Sequence, residues 1–168
     1  MARTIWLVGM MGSGKSTVGE ELARRRRVAF YDTDALIVER LGHSIAEVWD
    51  LHGEEGFRDV ESAQVDRLAG QDAVVATGGG VVLRPSNVET MRGSGPVVWL
   101  RTSVAELAER VGGGEGRPLL TGGSVDTRLS AVLDTRRELY EKAAAVVIDT
   151  DGKTVGEVSE EVEQWIES

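Results

Sequence analysis

Eight consecutive residues, Gly9-Met10-Met11-Gly12-Ser13-Gly14-Lys15-Ser16, occupy every fixed position of the G-x-x-x-x-G-K-[ST] pattern. Its glycines permit backbone angles that turn successive N–H groups inward toward an anion, and a helix opening at Lys15 adds its positive end. Lys15 is then placed to reach the β- and γ-phosphates of a nucleotide, and the Ser16 hydroxyl suits Mg²⁺. An apolar run, Ile5–Val8, precedes the loop and a helical pattern follows it, which is the context the motif requires. The chain is therefore expected to bind a nucleoside triphosphate with magnesium.

Further groups suited to chemistry follow. In Asp32-Thr33-Asp34 the carboxylates are two residues apart, and in an extended backbone both face one side. One can complete a magnesium shell through water while the other accepts the proton of an attacking hydroxyl; the alternative, that Asp34 merely caps the helix that follows, is outweighed by the pair's place at the end of a strand expected beside the phosphate loop. Thr77-Gly78-Gly79-Gly80 stands where many phosphate-loop enzymes carry a magnesium-ordering acid. It offers bare backbone N–H groups to a small substrate, or serves as a plain tight turn. Arg58 and Glu61 share a helix face at i, i+3. That spacing serves a surface ion pair as well as it serves a guanidinium oriented to receive a carboxylate. The stretch from Gly112 to Gly123 carries Arg117 among glycines and reads either as a lid over a transferring phosphoryl group or as a connector.

These groups must be held by something regular, and the rest of the chain supplies it. Short β-branched apolar runs at Ile5–Val8, Ala29–Tyr31, Val74–Ala76, Val97–Leu100 and Val146–Ile148 alternate with helical patterns. The alternation predicts a three-layer α/β/α fold with a five-stranded parallel sheet, strands apolar on both faces and ligands gathered at their carboxyl ends. At 168 residues one domain is expected over 1–168. A net charge of −9 disfavours nucleic acid and anionic membrane, and the run Arg24–Arg27 fits a solvated helix end. There are no cysteines, no secretory signal is evident, and no apolar stretch approaches the roughly 18 residues a membrane span needs, so a cytoplasmic protein is expected.

Taken in order, Gly9–Thr17, Asp32-Thr-Asp34, Phe57-Arg58-Asp-Val-Glu61, Gly78–Gly80, Arg117-Pro-Leu-Leu and Arg136-Arg-Glu-Leu-Tyr140 resemble the shikimate kinase family over nearly the whole chain. The resemblance implies the nucleoside-monophosphate-kinase type of fold, a substrate-binding segment at about 33–61 and a lid at about 112–124. It implies transfer of the ATP γ-phosphoryl to the 3-hydroxyl of shikimate, on the route through chorismate to aromatic amino acids. Gly12, Ser13, Gly14, Lys15, Ser16 and Thr17 would then hold ATP, with Arg110 near the adenine, Arg117 at the γ-phosphate and Lys153 a further nucleotide contact. Ser16 and Asp32 would serve Mg²⁺. Asp34 would bind ring hydroxyls and act as base, Arg58 and Arg136 would grip the carboxylate, Glu61 would orient Arg58, and Gly79 and Gly80 would give backbone contacts. A monomer binding ATP and shikimate is expected. A gluconate or nucleoside-monophosphate kinase is the nearest rival; a non-catalytic ATP-binding protein is harder to exclude from sequence, yet it would have no reason to carry Asp32, Asp34 and Arg117 together. A GTPase is disfavoured because no Asn-Lys-x-Asp stretch occurs.

Overall fold

The computed structural model describes residues 3–111 and 124–168. Five parallel strands, β1 (Ile5–Val8), β2 (Ala29–Asp32), β3 (Ala73–Ala76), β4 (Val97–Arg101) and β5 (Val146–Asp149), form one sheet in the order β2-β3-β1-β4-β5. Among the described residues seven α-helices connect and cover them: α1 (Lys15–Arg26), α2 (Thr33–Leu41), α3 (Ile45–Leu68), α4 (Pro85–Ser94), α5 (Val104–Val111), α6 (Val125–Ala143) and α7 (Val155–Glu167). The expected α/β alternation is present at every strand.

Side chains alternate across the sheet with the two-residue period of a strand. Trp6 and Val8 of β1, Val75 of β3 and Val97 and Trp99 of β4 pack in one core beneath α3 to α6. Ile5 and Leu7, Val74, and Val98 and Leu100 pack in a second core with α1 and α7. A small third cluster joins Ile37 of α2 to Val48 and Phe57 of α3. The expectation that every strand is apolar on both faces holds for β1 and β3 and for β4 up to Leu100, and fails at the edges. β2 runs exposed to half-buried along its length, and Val147 of β5 is exposed. Edge strands have a neighbour on one side only, so less of their surface is covered.

β1 lies between β3 and β4, and the strand order reverses at it. This is the switch point at which parallel sheets of this kind leave a crevice beyond the strand ends. The entry to β1 is tightly set: the Thr4 N–H donates to the Ser94 carbonyl at 3.2 Å and Trp6 N–H to the Pro96 carbonyl at 2.9 Å. A Cβ placed on Gly95 would stand 2.0 Å from the Thr4 carbonyl oxygen. Gly95→Ala is therefore expected to displace the start of β1 and destabilise the fold by about 1–3 kcal/mol, as overpacking does. A wild-type urea midpoint and slope for that variant would show that the contact yields without cost.

Candidate active site

The phosphate loop leaves β1 and enters α1 with Gly14 as N-cap, at φ 91° and with no side chain bonding the first turn. The leading N–H groups of α1 thus keep their donor capacity for an anion. Gly9, at φ 147°, runs so near β4 that a Cβ would lie 2.6 Å from the Leu100 carbonyl oxygen. Lys15 Nζ donates to the Gly9 and Met10 carbonyls at 2.8 and 2.9 Å, lying along the loop it belongs to. Arg110, from α5, donates to the Gly12 carbonyl at 3.2 Å and pairs with Glu106 at 2.9 Å. It therefore lies against the phosphate loop.

A cavity of about 650 Å³ opens above the loop, lined among others by Gly12, Gly14, Lys15, Ser16, Thr17, Asp32, Asp34 and Gly79. Asp32 ends β2 and caps α2, its carboxylate accepting from Ala35 N–H at 3.1 Å and from the Ser16 hydroxyl. Asp34 stands in the first turn of α2, so the extended-backbone account of the acidic pair is corrected, and the capping residue is Asp32 rather than Asp34. The carboxylates still meet in one cavity, because a strand end and the helix turn beginning there bend around the same space. Ser16 Oγ and Asp32 Oδ2, already hydrogen-bonded, are hard oxygen donors beside the phosphate loop. That donor set fits Mg²⁺, which takes few protein ligands and completes its shell with phosphates and water.

The second half of the site forms around the turn after β3. Three of its elements are charged and nearly inaccessible: Arg58 is 5% exposed, Arg136 3% and Glu61 0%. Arg58 and Glu61 follow Gly53, where α3 breaks with φ 70° and ψ 179°, and they pair at 3.0 Å. A surface ion pair is thereby ruled out, since the pair is buried. The guanidinium lies against Gly80, where a Cβ would come within 2.4 Å of Nη1, and Arg136 Nη1 stands 3.2 Å from the corresponding point on Gly79. Beside Gly78, Glu61 Oε2 and Asp34 Oδ1 crowd the point a Cβ would take, at 2.5 and 2.9 Å. Burial pushes the Glu61 carboxyl up, the Arg58 charge opposes this, and the neighbouring Asp34 adds to it.

Two site residues escaped the sequence reading. Trp49 packs on Phe57 with ring centroids 5.7 Å apart, and the Arg58 guanidinium carbon lies 5.6 and 5.3 Å from those two rings. Its contact depends on the α3 break, so no periodic spacing could reveal it. Tyr140 is fully buried, stacks on Trp99 at 5.5 Å, and donates its hydroxyl to the Gly79 carbonyl. It follows Arg136 by one helical turn, a signal present in the sequence. Lys153 is not brought to the site: it pairs with Glu161 at 2.7 Å and does not line the cavity. Arg117 and the expected lid, apart from Ser124, lie outside the described residues.

A phosphate loop at the head of a central parallel strand, two acids beside it and a guanidinium-lined pocket next door define a phosphate-loop kinase acting on a small anionic molecule. The comparisons with known proteins narrow this class. The shikimate kinase family matches residues 11–167. A shikimate kinase from Moorella thermoacetica is 44% identical over 173 residues, covering 100% of this chain and 99% of its own, and one from Legionella pneumophila is 40% identical, covering 98% and 94%. The solved shikimate kinase from Acinetobacter baumannii in complex with shikimate superposes with a TM-score of 0.95 at 34% identity, covering 99% of this chain and 93% of that one. The chain belongs to the shikimate kinase family and is an ATP-dependent kinase of shikimate.

Burial holds the Tyr140 phenol well above the usual 10.0, up to about 12, against the opposing charge of Arg136. An acid whose folded pKa is raised adds stability below its unfolded value, and loses it as pH climbs through the folded one. The stability of wild type relative to Tyr140→Phe is thus expected to hold below pH 10 and to shrink as pH rises toward about 12. Native-state phenolate absorbance, differenced between the two proteins, checks this; Tyr140 ionised in the folded protein at pH 10 would contradict the burial.

Proposed function

We propose that the charged pocket around Gly78–Gly80 receives the shikimate carboxylate and that the phosphoryl group passes to the 3-hydroxyl held beside Asp34. The observation that carries this reading is the convergence of two buried guanidiniums, Arg58 and Arg136, on the glycine turn adjoining the phosphate-loop cavity. An Arg pair of this kind suits a planar carboxylate, and Glu61 keeps Arg58 aimed through their 3.0 Å contact. The A. baumannii enzyme, so similar in fold, is solved in complex with shikimate, which supports shikimate as the acid received.

In this mechanism the first-turn N–H groups of α1 and the Lys15 ammonium bind the ATP phosphates, with Lys15 exchanging the Gly9 and Met10 carbonyls for phosphate oxygens. Ser16 and Asp32 would hold magnesium, which when bound neutralises charge on the bridging phosphate oxygens. Asp34 accepts the proton of the 3-hydroxyl as that oxygen forms its bond to the γ-phosphorus and the bond to the departing ADP oxygen breaks. The acids and guanidiniums act by positioning and charge neutralisation. Arg110 steadies the loop, and Arg117 belongs to the reading through the family pattern alone.

Lys15→Met and Asp34→Asn are each expected to lower turnover of shikimate with Mg-ATP by ~10²–10⁴-fold while leaving the melting transition in place. Near-full activity in either variant removes that residue from its role. Arg58→Ala is expected to raise the shikimate KM ~10- to 100-fold, the loss of a hydrogen bond to a charged group, with the ATP KM nearly unchanged. An equal rise in the ATP KM would place Arg58 on the nucleotide instead.

A further inference from the structure

The turn after β3 has most of its polar groups engaged. Thr77 N–H and its hydroxyl donate to the Leu7 carbonyl at 3.1 and 2.9 Å, and Gly78 N–H donates to the Thr33 hydroxyl at 3.1 Å. The Gly78 and Gly80 carbonyls accept from Val81 and Leu83 N–H at 3.2 and 3.0 Å, and the Gly79 carbonyl accepts from Tyr140. Among the described residues this leaves the N–H groups of Gly79 and Gly80 to donate outside the turn.

A peptide unit is planar and trans, so the C=O of one residue and the N–H of the next point in opposite directions. The Gly79 carbonyl and the Gly80 N–H belong to one such unit. Glycines on both sides of it place little steric limit on its rotation, so a hydrogen bond must supply the limit. The Tyr140 hydroxyl holds the carbonyl toward α6, and the Gly80 N–H is thereby turned away from α6. The phenol itself has little freedom: it is fully buried, stacked on Trp99, and rooted one helical turn after Arg136, whose Nη1 lies 3.2 Å from the point a Cβ on Gly79 would take. We infer that Tyr140 is a positioning residue for the acid substrate, setting the rotation of the Gly79–Gly80 peptide so that the Gly80 N–H is presented to shikimate beside Arg58. The inference rests on the reading that this turn binds shikimate.

Tyr140→Phe keeps the ring and its stack and removes the hydroxyl. The expected result is a ~3- to 10-fold rise in the shikimate KM, the loss of one neutral hydrogen bond, with a smaller fall in kcat and the ATP KM unchanged. Tyr140→Leu, which also loses the stack, separates packing from the hydroxyl. If Tyr140→Phe binds shikimate as wild type does and only Tyr140→Leu is impaired, the inference is overturned and the ring alone matters. In wild-type protein labelled with ¹⁵N-glycine, the Gly80 amide proton should move downfield on adding shikimate and not on adding Mg-ATP. An unresponsive Gly80 amide overturns the inference without reliance on any variant folding. Arg58→Ala with an unaltered shikimate KM would instead bring down the carboxylate reading itself, so the two failures are distinct.

Discussion

The site depends on a stretch of backbone that has no side chains. Arg58, Arg136, Glu61 and Asp34 all approach Gly78–Gly80 to distances at which a Cβ would collide or crowd. Only because those three Cβ positions are free can two guanidiniums and two carboxylates gather at one turn while Arg58, Arg136 and Glu61 remain buried. Any larger residue at Gly80 would occupy the space of the Arg58 guanidinium, and one at Gly78 would displace the Glu61 carboxylate. The turn's own shape is kept by bonds to three elements: β1 through Leu7, α2 through Thr33 and α6 through Tyr140.

Burying those charges is costly unless each has an opposite neighbour, and the arrangement supplies them. Glu61 lies between Arg58 and Asp34, so its carboxyl is subject to an attractive and a repulsive charge at once, with burial outweighing either. Removing either member of the Arg58–Glu61 pair would leave a buried ion without its counterpart, which is more damaging than the pair is stabilising. Arg58 has Glu54 at 3.6 Å as well as Glu61, and in the proposed reading a substrate carboxylate would join them. The contrast with Arg24 and Arg25 is instructive. Their exposed bonds to Glu21 and Glu163 are of the kind that contributes little.

Much of this was legible before any coordinates. The phosphate loop is read from a contiguous motif, because its glycines and lysine act through local backbone geometry. The strands are read from short apolar runs, because a central parallel strand is covered on both faces. The edge strands mark where that rule lapses, since β2 and β5 are covered less than β1 and β3. Asp34 was assigned to the right cavity through the wrong backbone, because a strand end and a first helical turn can aim side chains alike. Burial was not legible: spacing places Arg58 and Glu61 on one face and says nothing of what covers that face. Trp49 was hidden by the break at Gly53, which a helix-period reading passes over. Lys153 was read from a plausible loop, and spacing says nothing of its ion pair with Glu161 on α7.

The position of α6 ties the two halves of the site to one rigid element. Arg136 and Tyr140 are four residues apart and so project from one helix face, the first toward Gly79 and the second to its carbonyl. The Tyr140 ring is also stacked on Trp99, and Trp99 is a residue of β4, the strand beside which Gly9 begins the phosphate loop. A rotation of α6 would therefore disturb the guanidinium, the glycine turn and the packing against the strand next to the phosphate loop together. Packed interiors resist such displacement because they have little free volume to absorb it. The distance between nucleotide and acceptor, on which in-line transfer depends, is thus held by core packing as much as by the charged groups that touch either substrate.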